Sequence, residues 1–394
     1  MIESYKSLVV DSRGRRSNLK LGAFQLQRAG VVYAFLVIVV ALEIFTLAGD
    51  APEYLSDANI RNVLDQASFV AILSVFMTVV LISGNFDLSV ASVAAFSSAL
   101  ALTLLDEHGV VVAALLALLC GAAVGLLNGI LVVIVGVNAF IVTLGTLTGV
   151  RGLVLILTNG RTVQAHGSAF LTFEEGLWTM SQAIGVVIGL LLLGAAAIRM
   201  RRARGIPVAA HISDIGNVAL LTCGLLLILV AAFRPALLQL THPVWFLIGL
   251  TALTGFILRF TIVGRRLYAV GSNAEAARLS GIKVTRYQLI VFVLNGLVAA
   301  FVGLLYAGKF GAVNGDALNG TELTVLAAAI LGGTSLFGGS GSVLKSVVGA
   351  LILFTLANGF NILNLGSTYQ GLVQGIVIIA AASIYAVASR SRRA

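Results

Sequence analysis

Long apolar runs alternating with short polar joints set the pattern of this chain. Runs of about 17 to 25 apolar residues, the length needed to cross a bilayer as helix, fall near 31–48, 66–84, 88–105, 110–135, 138–158 and 179–198. A second set falls near 216–234, 243–262, 287–308, 323–338, 343–364 and 369–388. The pattern predicts an all-α polytopic membrane protein with about twelve passes. Pro52, Pro207, Pro235 and Pro243 all sit between these runs or at their edges, as their missing amide hydrogen requires.

Charge orients the runs. Lys6, Arg13, Arg15, Arg16, Lys20 and Arg28 precede the first, and Arg199, Arg201, Arg202 and Arg204 follow the sixth. Arg259, Arg265, Arg266, Arg278, Lys283 and Arg286 end or follow the eighth, and Arg390, Arg392 and Arg393 close the chain. All of these fall on one side in the twelve-pass layout, while Asp50, Glu53, Asp57, Asp106, Glu107, Glu174, Glu175 and Asp316 fall in the opposite loops. Basic loops stay cytoplasmic, so both termini are expected inside. The predicted organisation is a cytoplasmic segment 1–30, a transmembrane domain 31–388 with a cytoplasmic loop 263–286, and a tail 389–394. The first span resembles a signal anchor, but no small-residue cleavage pattern follows, so its retention is expected.

Composition narrows the function classes. Hydrophobic residues make up 59% of the chain and charged ones 10%, with a mean hydropathy of +1.04. No polar tract is long enough for a separate soluble domain, and there is no Gly-x-x-x-x-Gly-Lys-Ser/Thr loop for ATP. The net charge of +9 comes from basic residues scattered at helix ends, which fits topology rather than nucleic acid. Cys120 and Cys223 lie in apolar runs, and the four histidines fall in loops, so no metal site or bound cofactor is expected.

Two polar breaks interrupt the apolar pattern. Ser83-Gly84-Asn85-Phe86-Asp87-Leu88-Ser89 is one, and the Gly-rich run between Leu331 and Val343, which opens Gly332-Gly333-Thr334-Ser335, is the other. Each follows an apolar helix and precedes one rich in small residues, as matching parts of an internal repeat would, and paired Gly-interrupted segments mark the substrate path in transporters. The competing reading of each is an ordinary tight turn. Asp87 should lie near that path or hold its break through backbone amides, because an unpaired carboxylate in lipid is costly. Glu43, Arg151 and Lys345 also lie in or near apolar runs. Arg151, on a helix carrying Thr143, Thr146 and Thr148, is expected to pin that helix to a neighbour, with substrate contact as the second reading.

The polar island from Phe260 to Tyr287 is different in kind. Ser272 followed by Glu275 is a capping-box pattern; Ala274, Ala276, Ala277 and Leu279 favour helix; Arg278 complements a helix end; and Gly281 suits a left-handed stop. A helix over 273–280, about eight residues and roughly 12 Å long, is marginal alone and needs something to dock against. Asn273 to Ser280 is expected to present Ala276, Ala277 and Leu279 as a close-packed face, with Glu275 and Arg278 at its margin.

Four stretches together resemble the permease subunits of bacterial ABC importers for monosaccharides, the ribose and xylose type. They are Ile82 to Val90, Phe140 to Gly152, Gly264 to Ile282 and Ile330 to Gly339, within a likeness running from about Asn59 to Tyr385. The extra span near 216–234 resembles the longer, xylose-type members. The resemblance implies a homodimer, a cytoplasmic ATPase docked on the loop carrying Ser272, Asn273, Glu275 to Leu279 and Gly281, and a periplasmic sugar-binding protein. It also implies that ATP is used by the partner subunit and that the chain itself is no enzyme. Asn85 and Phe86 depart from the small or aliphatic residues usual beside the acid, and Lys345 stands where a small residue is common. The alternative reading is a gradient-driven secondary transporter with Asp87 as coupling acid.

The layout makes a direct prediction. A membrane-impermeant thiol reagent applied to intact cells should label a cysteine placed at Glu174 but not Arg201→Cys; outside labelling of the latter would overturn the orientation.

Overall fold

The computed structural model describes residues 16–49, 51–164, 177–202 and 215–365, with a few positions beyond. Most of the predicted span 369–388, the tail, the first fifteen residues and the loop holding Glu174 lie outside the described residues. Helix α1 (Arg16–Ala48) leads to α2 (Asp57–Ile82) and α3 (Val90–Gly129), whose end widens into a π-helical segment (Ile130–Ile134). Next come α4 (Ala139–Thr158), α5 (Gln182–Arg202), α6 (Ile215–Phe233) and α7 (His242–Phe260). The short α8 (Ile262–Ser272) and α9 (Ala274–Leu279) precede α10 (Val284–Phe310), α11 (Thr321–Leu331) and α12 (Val343–Ile362). Among the described residues, eight helices are long and apolar enough to cross a membrane.

The predicted spans near 88–105 and 110–135 are two helical arms of α3 that meet at Gly109, whose φ of 74° lies in the left-handed region that only glycine enters cheaply, and the Ser97 hydroxyl of the first arm reaches the Ala117 carbonyl of the second. The span near 323–338 stops at Leu331, because Gly332 and Gly333 turn the chain there. At 11 residues, α11 is about 16 Å long, roughly half the hydrocarbon thickness.

That shortness has a consequence upstream. The chain from Gly311 to Gly320 must carry non-helical backbone toward the start of α11, and such backbone at membrane depth must be satisfied by protein. Arg151 of α4 does so: its guanidinium donates to the Ala317 carbonyl at 2.6 Å and, more weakly, to that of Gly315 at 3.5 Å. A two-residue strand pairing of β4 (Ala312–Val313) with β1 (Val163–Gln164) closes the same loop. Arg151 therefore pins its helix to a neighbour, and the neighbour is this loop. Glu43, at the end of α1, accepts the Leu55 amide at 2.8 Å and fixes the turn into α2.

The core forms around α2, which is almost wholly buried from Ala67 to Ile82. Beside it runs α10, which α3 approaches backbone to backbone where Gly121 and Gly125 meet Gly296 and Phe292, and again where Ala94 meets Gly303. With no burial of apolar surface to gain in lipid, such close approach supplies the packing energy. Helices α5 and α6 pack chiefly on each other, crossing at Gly189 and Gly224. Strand β2 (Leu177–Thr179), paired antiparallel with β3 (Gln239–Thr241), ties the start of that hairpin to the bundle.

Replacing Arg151 with Met keeps the bulk and leaves the Ala317 carbonyl without its donor. A buried unmade hydrogen bond costs about 1–3 kcal/mol, so the variant should lose monodispersity in detergent at a lower temperature than wild type; equal thermal profiles would count against this role.

Candidate functional site

Both polar breaks, the short helices α8 and α9, the C-terminal end of α2 and the N-terminal end of α10 meet at one end of the bundle. The first break begins where Ser83 ends α2 and Gly84 takes a φ of 87°. The Gly84 amide bonds back to Leu81 at 2.9 Å and the Asn85 amide to Val80 at 3.2 Å. These two bonds are the paired closure of a Schellman stop. The second break repeats it: the Gly333 amide reaches Ile330 at 2.7 Å and the Thr334 amide Ala329 at 3.1 Å, with Gly333 at φ 80°. Two helices thus end by the same device at the same end of the molecule, which is what a structural repeat would produce.

Asp87 is fully buried, and both carboxylate oxygens are engaged. One accepts the Ser89 amide at 2.9 Å and the Ser89 hydroxyl at 2.6 Å, which holds the turn into α3; the other accepts the Asn295 amide of α10 at 3.0 Å. Asn128 of α3 donates to Ser89 Oγ at 3.0 Å and takes the Thr146 hydroxyl of α4 at 2.6 Å. A carboxylate, two amides and two hydroxyls therefore lock four chain segments together. Of the hydroxyl-bearing residues on α4, Thr146 reaches across, while Thr143 and Thr148 bond back to their own helix. Sequence reasoning missed Asn128 and Asn295, although a lone amide inside an apolar run is a signal for such a partner. Beside the acid, Phe86 packs edge-on against Phe140, with ring centres 6.1 Å apart. Around the second break, Thr334 is buried near Ser346, whose hydroxyl lies 2.6 Å from that of Thr78.

The polar island folds as two helices rather than one. The amphipathic α8, capped by Thr261 onto the Gly264 amide, was read from sequence as loop; Leu267 and Val270 on its buried face were the available signal. The expected capping box at Ser272 does not form: the Ser272 hydroxyl bonds back to the Tyr268 carbonyl at 2.8 Å, and Asn273 caps α9 by accepting the Ala276 amide at 2.9 Å. The physical reason is that α8 continues through Ser272, leaving Asn273 the first extended residue. Gly281 takes its left-handed conformation at φ 79°, just past Ser280. The expected face of Ala276, Ala277 and Leu279 is also divided. Ala277 is buried against Val270 and Val284 of its own chain, whereas Ala276, Leu279, Glu275 and Arg278 point outward.

Glycines let these parts touch through their backbones. A side chain on Gly271 of α8 would collide with the Ile82 carbonyl and the Gly339 amide, and one on Gly338 with Gly84 and the Gly271 carbonyl. In their absence, the Gly339 amide donates to Ile82 at 3.0 Å, the Tyr268 hydroxyl to Gly341 at 2.9 Å, and the Gln288 side chain to Ser83 at 3.2 Å. Burial raises the Tyr268 hydroxyl above the ordinary phenol range, so it stays a donor. At the other end, Asp65 pairs with Lys309 and accepts the Thr241 hydroxyl, beside an open cleft also lined by Arg61, Asn62 and Gln239. Among the described residues no His, Cys, Asp and Glu cluster could hold a metal ion.

A helical membrane bundle with broken segments joined to a polar platform at one end is the layout of a transport protein. The chain belongs to the permease family described as "Branched-chain amino acid transport system / permease component", whose profile matches residues 59–382. It is 36% identical to the xylose transport system permease protein XylH of Haemophilus influenzae, over 92% of this chain and 96% of that protein. It is 31% identical to the L-arabinose ABC transporter permease protein AraH of Azospirillum brasilense, over 95% and 92% of the two chains. The ribose import permease protein RbsC of Haemophilus influenzae is 30% identical over 94% and 96%. No solved structure matches. The chain is thus a multi-pass inner-membrane permease of the ribose and xylose type, a transport subunit whose ATPase is a separate chain.

Asp87→Asn should keep the fold, because its new amide can face the Asn295 Oδ1, which has no partner, once that side chain turns over. Asp87→Ala removes charge-assisted bonds worth about 1.5–3 kcal/mol each and should sharply lower the yield of monodisperse protein. Wild-type yield for the alanine variant would refute a structural role for the carboxylate.

Proposed function

We propose that this chain is the membrane-spanning subunit of an ATP-driven importer that moves a monosaccharide, xylose or another pentose, across the cytoplasmic membrane. The observation that carries the reading is the likeness to xylose, arabinose and ribose permeases, which covers at least 92% of both chains in each case. In this reading both termini are cytoplasmic, as the basic loops require, and two copies pair as a homodimer. A cytoplasmic ABC ATPase docks on α8 and α9, using ATP that this chain does not bind, and a periplasmic binding protein delivers sugar at the opposite end. Ser272, Asn273, Glu275, Ala276, Arg278, Leu279 and Gly281 form or shape the coupling loop, with Ala277 holding it to the bundle. Gly84, Asn85, Asp87, Ser89, Gly332, Gly333, Thr334 and Ser335 form the broken segments to which that loop transmits movement.

The gradient-driven alternative has less behind it. A coupling acid must exchange its proton with one compartment and then the other, and both oxygens of Asp87 are committed to donors that hold a helix start.

Reconstituted vesicles holding permease, ATPase and binding protein should take up sugar with ATP and no ion gradient, and not with a gradient and no ATP; the reverse outcome would establish the alternative. Leu279→Asp, at a side chain 84% exposed, should leave permease yield unchanged and weaken ATPase co-purification by about tenfold or more, the loss typical of an interface anchor.

A further inference from the structure

The two most exposed large hydrophobic side chains among the described residues are Phe337, at 93%, and Leu279, at 84%. Most others with high exposure lie on membrane-crossing helices, where lipid covers them; these two lie on the short connecting segments at one end. Leu279 belongs to the coupling loop. Phe337 belongs to the second break, and nothing in the function derived above uses it.

The segment that carries Phe337 is built to present it. The Ser335 amide bonds the Ser340 carbonyl at 3.0 Å and closes the loop, while the Ser335 hydroxyl accepts the Phe337 amide at 3.1 Å. Gly338 and Gly339 then turn the chain back at φ 86° and 70°. The base of the loop is held by the Gly339 bond to Ile82 and the Tyr268 bond to Gly341. An aromatic ring held out in water on a hydrogen-bonded loop has lost its backbone freedom before any partner arrives, so binding there need not bear that ordering cost. Such a residue marks an interaction site rather than a packing accident.

Position names the partner. Gly339 lies directly against Ser272, one residue before the cap of α9, and Gly338 against Gly271. The surface bearing Phe337 is therefore continuous with the outward face of α9, and a protein that covers one covers the other. We propose that loop 334–340 is a second docking element for the ATPase subunit, with Phe337 as an apolar anchor entering a pocket on that subunit. This rests on the reading of α9 as the first docking element. Aromatic side chains are enriched among the few residues that carry most of an interface's binding energy.

The test uses the permease co-expressed and purified with its ATPase. A photoreactive benzoylphenylalanine in place of Phe337 should give a covalent adduct with the ATPase on illumination, and Phe337→Ser should weaken ATPase retention about tenfold or more with permease yield unchanged. An adduct with lipid alone, together with full ATPase retention by Phe337→Ser, would make Phe337 a membrane contact and overturn the proposal. If Leu279→Asp sheds the ATPase while Phe337→Ser keeps it and the benzoylphenylalanine variant gives no adduct, this proposal falls and the coupling-loop reading stands. Full retention by both variants overturns both.

Discussion

Backbone amides and carbonyls that leave a helix within a packed membrane protein must find partners in the protein, and the arrangement of this permease follows from that requirement. Where α2 and α11 stop, paired Schellman bonds close the freed groups onto the preceding turn. Where α3 begins, Asp87 takes the Ser89 amide. Where the chain runs unwound between α10 and α11, Arg151 crosses from α4 to supply donors. Each departure from helix therefore fixes the position of another element, and the breaks become the joints that organise the bundle.

The same requirement explains why the platform of α8, α9 and the two breaks is rich in glycine. Contact between α8 and the two breaks runs largely through main-chain atoms, with Gly271, Gly84, Gly338 and Gly339 removing the side chains that would hold them apart. Long side chains at such a contact would adapt their rotamers and absorb a displacement; main chain against main chain has little freedom to do so. In the proposed importer, a push on α9 would pass to α8 through the short cap at Asn273 and from there to the ends of α2 and α11. Ala277 belongs to this chain of contact, because its burial against Val270 and Val284 keeps α9 from sliding on its base.

Much of this was legible in the sequence, and the failures have causes. Apolar runs located most of the described helices, since bilayer thickness imposes a length that pattern reading can detect. The breaks at Gly84 and Gly332 were visible because glycine and acid interrupt hydropathy, and Gly281 because a left-handed stop favours one residue type. The unwound loop before α11 was not visible: Asn314 to Gly320 reads like an ordinary connection, and only the length of α11 and the reach of Arg151 reveal its depth. Nor could spacing show that α8 runs through Ser272 and so passes the cap to Asn273. The inward turn of Ala277 likewise depends on Val284, seven positions away across a turn whose geometry local propensity does not encode.

The seam between α3 and α10 carries a further meaning. Gly121 and Gly125, in the arm of α3 after Gly109, sit against Gly296, and Ala94, in the arm before it, sits against Gly303, so α10 is held closely by both arms of α3. A joint of that kind resists shear, because sliding one helix by a single turn would drive methyl groups into carbonyl oxygens all along the line. Such a group is built to move as one beam. In the proposed importer, alternation between inward and outward openings would then come from swinging that beam against α4 or against the second copy of the proposed homodimer, where lipid can follow the movement.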